Sequence, residues 1–143
     1  QGLPLLKPPY RRITAINLNT GEHEWQVPLG KGPTDHPAIA HLDLGDLGSV
    51  FSDVVAEGGV LVTKSLVISY LAAKDEIGPE ETGSILVAFN KTNGTKAGEV
   101  YVDQRLHGPI MSYQHDEIQY IAVAGGGRDN DAELLVFKLG NTP

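Results

Sequence analysis

Ile13-Thr14-Ala15-Ile16-Asn17-Leu18-Asn19-Thr20-Gly21-Glu22-His23-Glu24-Trp25 is the stretch whose reading decides the fold. It reads as a strand, a tight turn at Asn19-Thr20-Gly21 and a second strand that carries the only tryptophan. Gly21 supplies the positive φ that such a turn requires. The stretch also recurs. Val87-Ala88-Phe89-Asn90-Lys91-Thr92-Asn93-Gly94-Thr95-Lys96-Ala97-Gly98 repeats it 73 positions later, with Ala15 over Ala88, Asn17 over Asn90 and Gly21 over Gly94. A weaker echo, Leu135-Val136-Phe137-Lys138, lies a further 48 positions on. Repeated units of this kind seldom bury their apolar faces alone; they stack on their neighbours.

Outward from this hairpin the chain is a series of short apolar runs. Strands are predicted over Arg12 to Leu18, Glu22 to Val27, Val60 to Thr63, Leu66 to Tyr70, Ser84 to Phe89, Glu99 to Val102, Met111 to Tyr113, Gln119 to Val123 and Glu133 to Leu139, with strand structure resuming from Val54. Gln1 to Pro9 holds Pro4, Pro8 and Pro9 and is read as an extended lead-in. Residues 28–53 carry Gly30, Gly32, Pro33, Pro37, Gly45 and Gly48 with almost no alternation, which predicts a long loop with a short helical turn near Ala38-Ile39-Ala40. Asp75 to Thr82 is an acidic loop, and Gly125 to Asp131 a flexible turn. About ten short strands at this spacing fit a sandwich, a barrel or propeller blades. The repeat interval selects the last, because 48 residues is close to the ~40–50 of a propeller blade. A chain of 143 residues then holds about three blades, whereas propellers close with roughly 4–8. The expected fold is all-β: an incomplete β-propeller of about two and a half to three four-stranded blades. It forms one partial propeller domain over 1–143, with residues 1–12 as lead-in and 28–53 as the long loop.

Composition agrees and narrows the function. There are 17 Gly and 9 Pro, a load that favours strands and turns over helices. A net charge of −7 argues against a nucleic-acid surface. No run reaches the roughly 18 apolar residues of a membrane span. The start, Gln1-Gly2-Leu3-Pro4, shows no initiator Met and no charged-then-apolar leader, which predicts a chain processed or cut from a longer one. With no cysteine there is no disulfide and no cysteine-based metal site.

The same residues carry a resemblance. Pro8-Pro9-Tyr10, Leu18-Asn19-Thr20-Gly21-Glu22 and Trp25-Gln26-Val27-Pro28-Leu29-Gly30 are followed by Gly58-Gly59 with Leu61-Val62-Thr63. Next come Gly108-Pro109-Ile110-Met111-Ser112-Tyr113, then Gln119 to Gly127 and Leu135-Val136-Phe137-Lys138-Leu139. In this order they resemble the C-terminal part of the pyrroloquinoline quinone (PQQ)-dependent dehydrogenases, closest to the membrane-bound glucose dehydrogenase type. The resemblance implies a periplasmic quinoprotein oxidoreductase that oxidises alcohols or aldoses. Its propeller would have about eight blades, with PQQ on the axis beside a calcium ion. It also implies that the base and most cofactor contacts come from earlier blades, so no catalytic residue carries over and this chain alone binds no cofactor. Its partners are then the remaining blades of the parent, or copies of itself through open sheet edges. The alternative is a non-enzymatic propeller scaffold. Departures from the family pattern are Lys64-Ser65 for a Gly pair, Gly83 where some members have Asp, an acidic insertion over 74–82, Arg11-Arg12 for a Gly, and Gly98 where a Trp belongs.

Other constellations are weaker. Trp25 is expected to pack between neighbouring blades, burying area worth roughly 1.5–3 kcal/mol. Asp35, His36, His41, Asp43 and Asp46 cluster in the long loop and have metal-ligand chemistry, but Pro37 breaks any helix that would align His36 with His41. A solvated loop is the expectation. His115-Asp116 could form an acid–base pair but falls on a hairpin tip. Gly125-Gly126-Gly127 lacks the Lys and helix of a phosphate loop. Asn90-Lys91-Thr92 and Asn93-Gly94-Thr95 match the glycosylation pattern, yet turn geometry already accounts for Asn and Gly there.

Overall fold

The computed structural model describes residues 2–50, 59–78, 80–126 and 131–138. Among them are nine strands in three antiparallel sheets. The first pairs β1 (Arg12–Ile16) with β2 (His23–Pro28). The second runs β3 (Leu61–Val62), β4 (Leu66–Ala72), β5 (Ser84–Asn90) and β6 (Lys96–Val102) in chain order. The third runs β7 (Leu106–His115), β8 (Ile118–Gly125) and β9 (Glu133–Lys138). This succession of meander sheets is an incomplete β-propeller. The predicted strands are present, with boundaries moved by a few residues. The helical turn near Ala38-Ile39-Ala40 is a 3₁₀ turn over Ala40–Leu42, and a second 3₁₀ turn, Ala73–Asp75, opens the acidic loop. The strand resumption predicted at Val54 lies outside the described residues.

The sequence repeat is a structural repeat down to single hydrogen bonds. Ala15 pairs with Trp25 and Ala88 with Gly98, and both ladders shift register at the next residue, Ile16 opposite His23 and Phe89 opposite Lys96. In the first turn Gly21 N–H donates to the Asn17 carbonyl (2.7 Å) and Asn17 N–H to that of Glu22 (2.8 Å). In the second, Gly94 N–H donates to Asn90 (2.9 Å) and Asn90 N–H to Thr95 (2.7 Å). The Asn17 and Asn90 side chains each accept from the amide two residues on. β1 and β2 therefore correspond to β5 and β6, the last two strands of a four-stranded blade. β9 answers to β5, which leaves the third sheet without the counterpart of β6.

Two apolar layers hold the sheets together. Leu29, Val67, Leu71, Val87 and Phe89, with Ile13, Trp25 and Val27 against them, lie between the first and second sheets. Ile68, Tyr70, Leu86, Val102, Leu106, Ile110, Ile121 and Val123 lie between the second and third. β4 is buried on both faces because it is a central strand of the middle sheet, which explains its uninterrupted apolar sequence.

Trp25 bridges the first layer as expected. Its indole N–H donates to the Lys91 carbonyl (2.9 Å). Its ring covers Gly94 so closely that a Cβ there would stand 2.7 Å from Trp25 Cε3. At Gly98, the matching position in the second repeat, a Cβ would meet nothing within 4 Å.

Candidate functional site

Antiparallel meanders send alternate connections to opposite ends. One end of this array holds only tight turns, around residues 17–22, 63–65, 91–95 and 116–117. The other carries the connections that follow β2, β4, β6 and β8, among them the long loop and the acidic insertion, and loops on a rigid scaffold are where binding residues tend to lie.

At that end the long loop is closed at its base. Leu47, Gly48 and Ser49 donate to the carbonyls of Lys31, Gly30 and Leu29, each at 2.9 Å, while Tyr10 N–H reaches the Leu47 carbonyl (2.8 Å) and Leu29 N–H that of Arg11 (2.9 Å). Gly48 has φ +78, and a Cβ there would sit 2.6 Å from Arg11 N, so the lead-in and loop approach only because this residue is Gly. Glu76, from the acidic insertion, caps this junction. Its carboxylate accepts from Lys31 N–H (2.9 Å to each oxygen) and from Ser49 Oγ (3.0 Å).

The second and third sheets meet in another polar group. Tyr70, wholly buried, donates its hydroxyl to the Gly108 carbonyl (2.9 Å). Burial pushes its pKa above the ordinary phenol value, with the nearby Arg11 charge opposing. Ser84 Oγ accepts from Leu106 N–H (3.0 Å). His107 Nε2 lies 2.7 Å from the Gly126 carbonyl, and since a carbonyl only accepts, Nε2 carries the hydrogen. Gln104 donates to Glu133 Oε2 (2.7 Å). Tyr101 donates to Glu81 Oε2 (3.0 Å), which raises the Tyr101 pKa. These groups fasten strand ends, with only the buried Gln104 Oε1 among them left without a hydrogen-bond partner; none pairs a nucleophile with a free base.

The loop cluster does not converge. Asp35, His36, His41, Asp43 and Asp46 are spread along it, and His36 Nδ1 accepts from Ala38 N–H (3.1 Å). Among the described residues no three His, Asp or Glu side chains gather as a metal site would require. At Gly83 an added Cβ would fall 2.2 Å from the Val102 carbonyl and 2.9 Å from the Tyr101 hydroxyl. An Asp at this position has no space while Tyr101 and Glu81 are joined. His115 and Asp116 stand 3.3 Å apart, both largely exposed at the tight-turn end. Asn90 and Asn93 spend their side-chain carbonyls on their own turn, Asn93 accepting from both Thr95 N–H (3.0 Å) and Thr95 Oγ1 (2.8 Å). Gly127 lies outside the described residues, Gly125 ends β8 and Gly126 follows it.

Glu76, Tyr70 and His107 were not singled out by sequence reasoning. Glu76 meets residues 27 and 45 positions away. Tyr70 is embedded in an apolar run, where nothing local distinguishes it.

A family model described as PQQ, glucose/ethanol/alcohol dehydrogenase β-propeller domain, matches residues 1–121. Among curated proteins the chain is 29% identical over 128 residues to a quinate/shikimate dehydrogenase (quinone) of Acinetobacter baylyi, covering 88% of this chain and 14% of the relative. It is 29% identical over 131 residues to a glycerol dehydrogenase large subunit of Gluconobacter oxydans, covering 88% and 16%. To quinoprotein glucose dehydrogenase A of Acinetobacter calcoaceticus it is 27% identical over 126 residues, covering 88% and 14%. The chain thus spans about a seventh of the length of these relatives. No solved structure gives a significant match.

Proposed function

Because the chain belongs to the PQQ-dependent glucose/ethanol/alcohol dehydrogenase β-propeller family, we propose that it is the C-terminal arc of a periplasmic quinoprotein oxidoreductase, inactive alone. Over 1–143 it forms one partial propeller domain that the remaining blades of its parent complete. The observation that carries this reading is the atom-level hairpin repeat, joined to sheets of two, four and three strands whose outer strands have no further partner among the described residues. The relatives' names give quinate, shikimate, glycerol and glucose, so the substrate class proposed for the parent is a polyhydroxylated alcohol or aldose. The family's cofactor is PQQ with calcium. The described residues do not fit that pair by themselves: no three acidic or imidazole groups converge, and Gly83 is packed flush against the next strand. We infer that most of the cofactor site lies on blades outside this chain.

Dye-linked oxidation of glucose, glycerol and quinate tests the reading, with PQQ and calcium added to the parent polypeptide and to this chain. Activity in the parent and none in the chain is expected. A parent that neither binds PQQ nor oxidises any of the three favours the second reading, a non-enzymatic scaffold, for which Gly98 and the occupied space at Gly83 speak.

Closure by copies of the chain is less well supported by the exposed faces. The outer face of the first sheet carries the polar pairs Gln26–Thr14 and Asn17–Glu24, with Ile16 about half exposed beside them. That of the third shows Met111, Leu134 and Val136, each about half exposed, beside the Tyr113–Tyr120 stack. A head-to-tail ring would set a more apolar face against a more polar one.

A further inference from the structure

The sequence contains a single Asn-Gly pair, Asn93-Gly94, and it lies directly beneath the tryptophan that joins the first two sheets. Asn-Gly pairs are chemically labile, since without a side chain on the second residue its backbone nitrogen readily reaches the asparagine Cγ. The Gly94 nitrogen bonds to Asn93 Cγ and gives up its proton, and the side-chain nitrogen leaves as ammonia. The resulting succinimide takes up one water and opens at either carbonyl, leaving Asp or isoaspartate at position 93. No oxidant or cofactor is consumed.

In the folded chain this attack is restrained at the nitrogen rather than at the carbon. Gly94 N–H is held by the Asn90 carbonyl at 2.9 Å. The Trp25 ring rests on Gly94, with the indole anchored to Lys91 on the same turn. Asn93 itself is exposed, and its Oδ1 accepts two hydrogen bonds from Thr95, which draw electron density from Cγ. The electrophile is thus activated and wet while the nucleophile is pinned. The first repeat offers a built-in contrast: Thr20 precedes Gly21, and nothing lies within 4 Å of a Cβ there.

We propose that Asn93-Gly94 is a deamidation site gated by the docking of Trp25, converting when the first sheet lifts from the second. Isoaspartate adds a backbone atom to the turn on which Trp25 rests and places a negative charge beside it, so each conversion makes re-docking harder. The site acts as a one-way latch that records separation of the two sheets.

The test incubates the intact chain at mildly alkaline pH and follows Asn93 by peptide mapping and isoaspartyl methylation. In Trp25→Ala, conversion is expected to be roughly tenfold faster than in wild type or more, because the open state becomes more populated as the lost ring burial no longer opposes it. Val123→Ala, which weakens the other apolar layer, is expected to leave the Asn93 rate near wild type. Equal acceleration in both variants, or a wild-type rate equal to that of the urea-unfolded chain, overturns the gate. If Trp25→Ala does not fold, as judged by circular dichroism, Trp25→Phe carries the test. It keeps a ring over Gly94 and loses the Lys91 bond, so a rate no faster than wild type overturns the proposal.

Discussion

Gly21 and Gly94 are the same residue twice, with φ of +75° and +73°, yet they do different work. At Gly21 a side chain would cost only the strain of the left-handed backbone, since its surroundings are empty. At Gly94 it would also expel Trp25. Gly21→Ala should therefore lower unfolding stability by about 1 kcal/mol and Gly94→Ala by at least about 1 kcal/mol more, measured by urea denaturation. Equal losses would mean that Trp25 contributes little to holding the sheets. Tyr70 makes a second prediction at this scale. Its phenol pKa is raised in the folded chain above the unfolded value of 10.0, so the folded state keeps its proton longer than the unfolded one. The stability this confers is fully present below pH 10.0 and declines as pH rises from there through the folded pKa. Tyr70→Phe should lack that alkaline decline, and at neutral pH it should be less stable by about 1 kcal/mol through loss of the bond to Gly108.

Among the elements, the β7–β8 hairpin and β6 each contain a local choice that opposes the fold. Asp116 and Glu117 form a two-residue turn with φ of +48° and +63°, a geometry that Asn-Gly adopts at lower cost. Replacing the pair by Asn-Gly should stabilise the chain by about 0.5–1 kcal/mol; the exposed His115–Asp116 pair offers little to lose. In β6, Gly98 sits in an extended strand with open space around it. Gly98→Ala should gain about 0.5 kcal/mol through reduced freedom of the unfolded chain, read as a raised thermal midpoint. A loss there would show that a neighbouring chain segment needs the space. The repeated hairpin was legible in the sequence because turn chemistry is local: Asn17 and Asn90 bond two residues on, and Gly21 and Gly94 close the turn. The 3₁₀ turn Ala73–Asp75 was not, because Ala73-Lys74-Asp75 carries no side-chain cap and is held by backbone bonds, Ala73 N–H to the Gly83 carbonyl and Glu76 N–H to that of Ala73.

At the scale of the whole molecule, the chain presents unfinished surfaces. Among the described residues β9 is an outer strand with Leu134 and Val136 exposed and no partner on its far side, and edges of this kind recruit other strands. Sedimentation of the isolated chain should show association that grows with concentration, and Val136→Lys should suppress it while changing stability by less than about 0.5 kcal/mol. A wild-type chain that stays monomeric across that range would mean that the edge is covered by the chain itself.

The repeat interval, the turn residues and the lone tryptophan are short-range or compositional signals, so the sequence by itself determined an all-β chain, its blade-like periodicity and its family. What closes the long loop, seats Trp25 on Gly94, brings Glu76 to Lys31 and Ser49, and leaves no space at Gly83 was decided only by the tertiary structure. Each of those contacts joins residues tens of positions apart, and their pairing depends on how one sheet packs on the next rather than on any local preference of the chain.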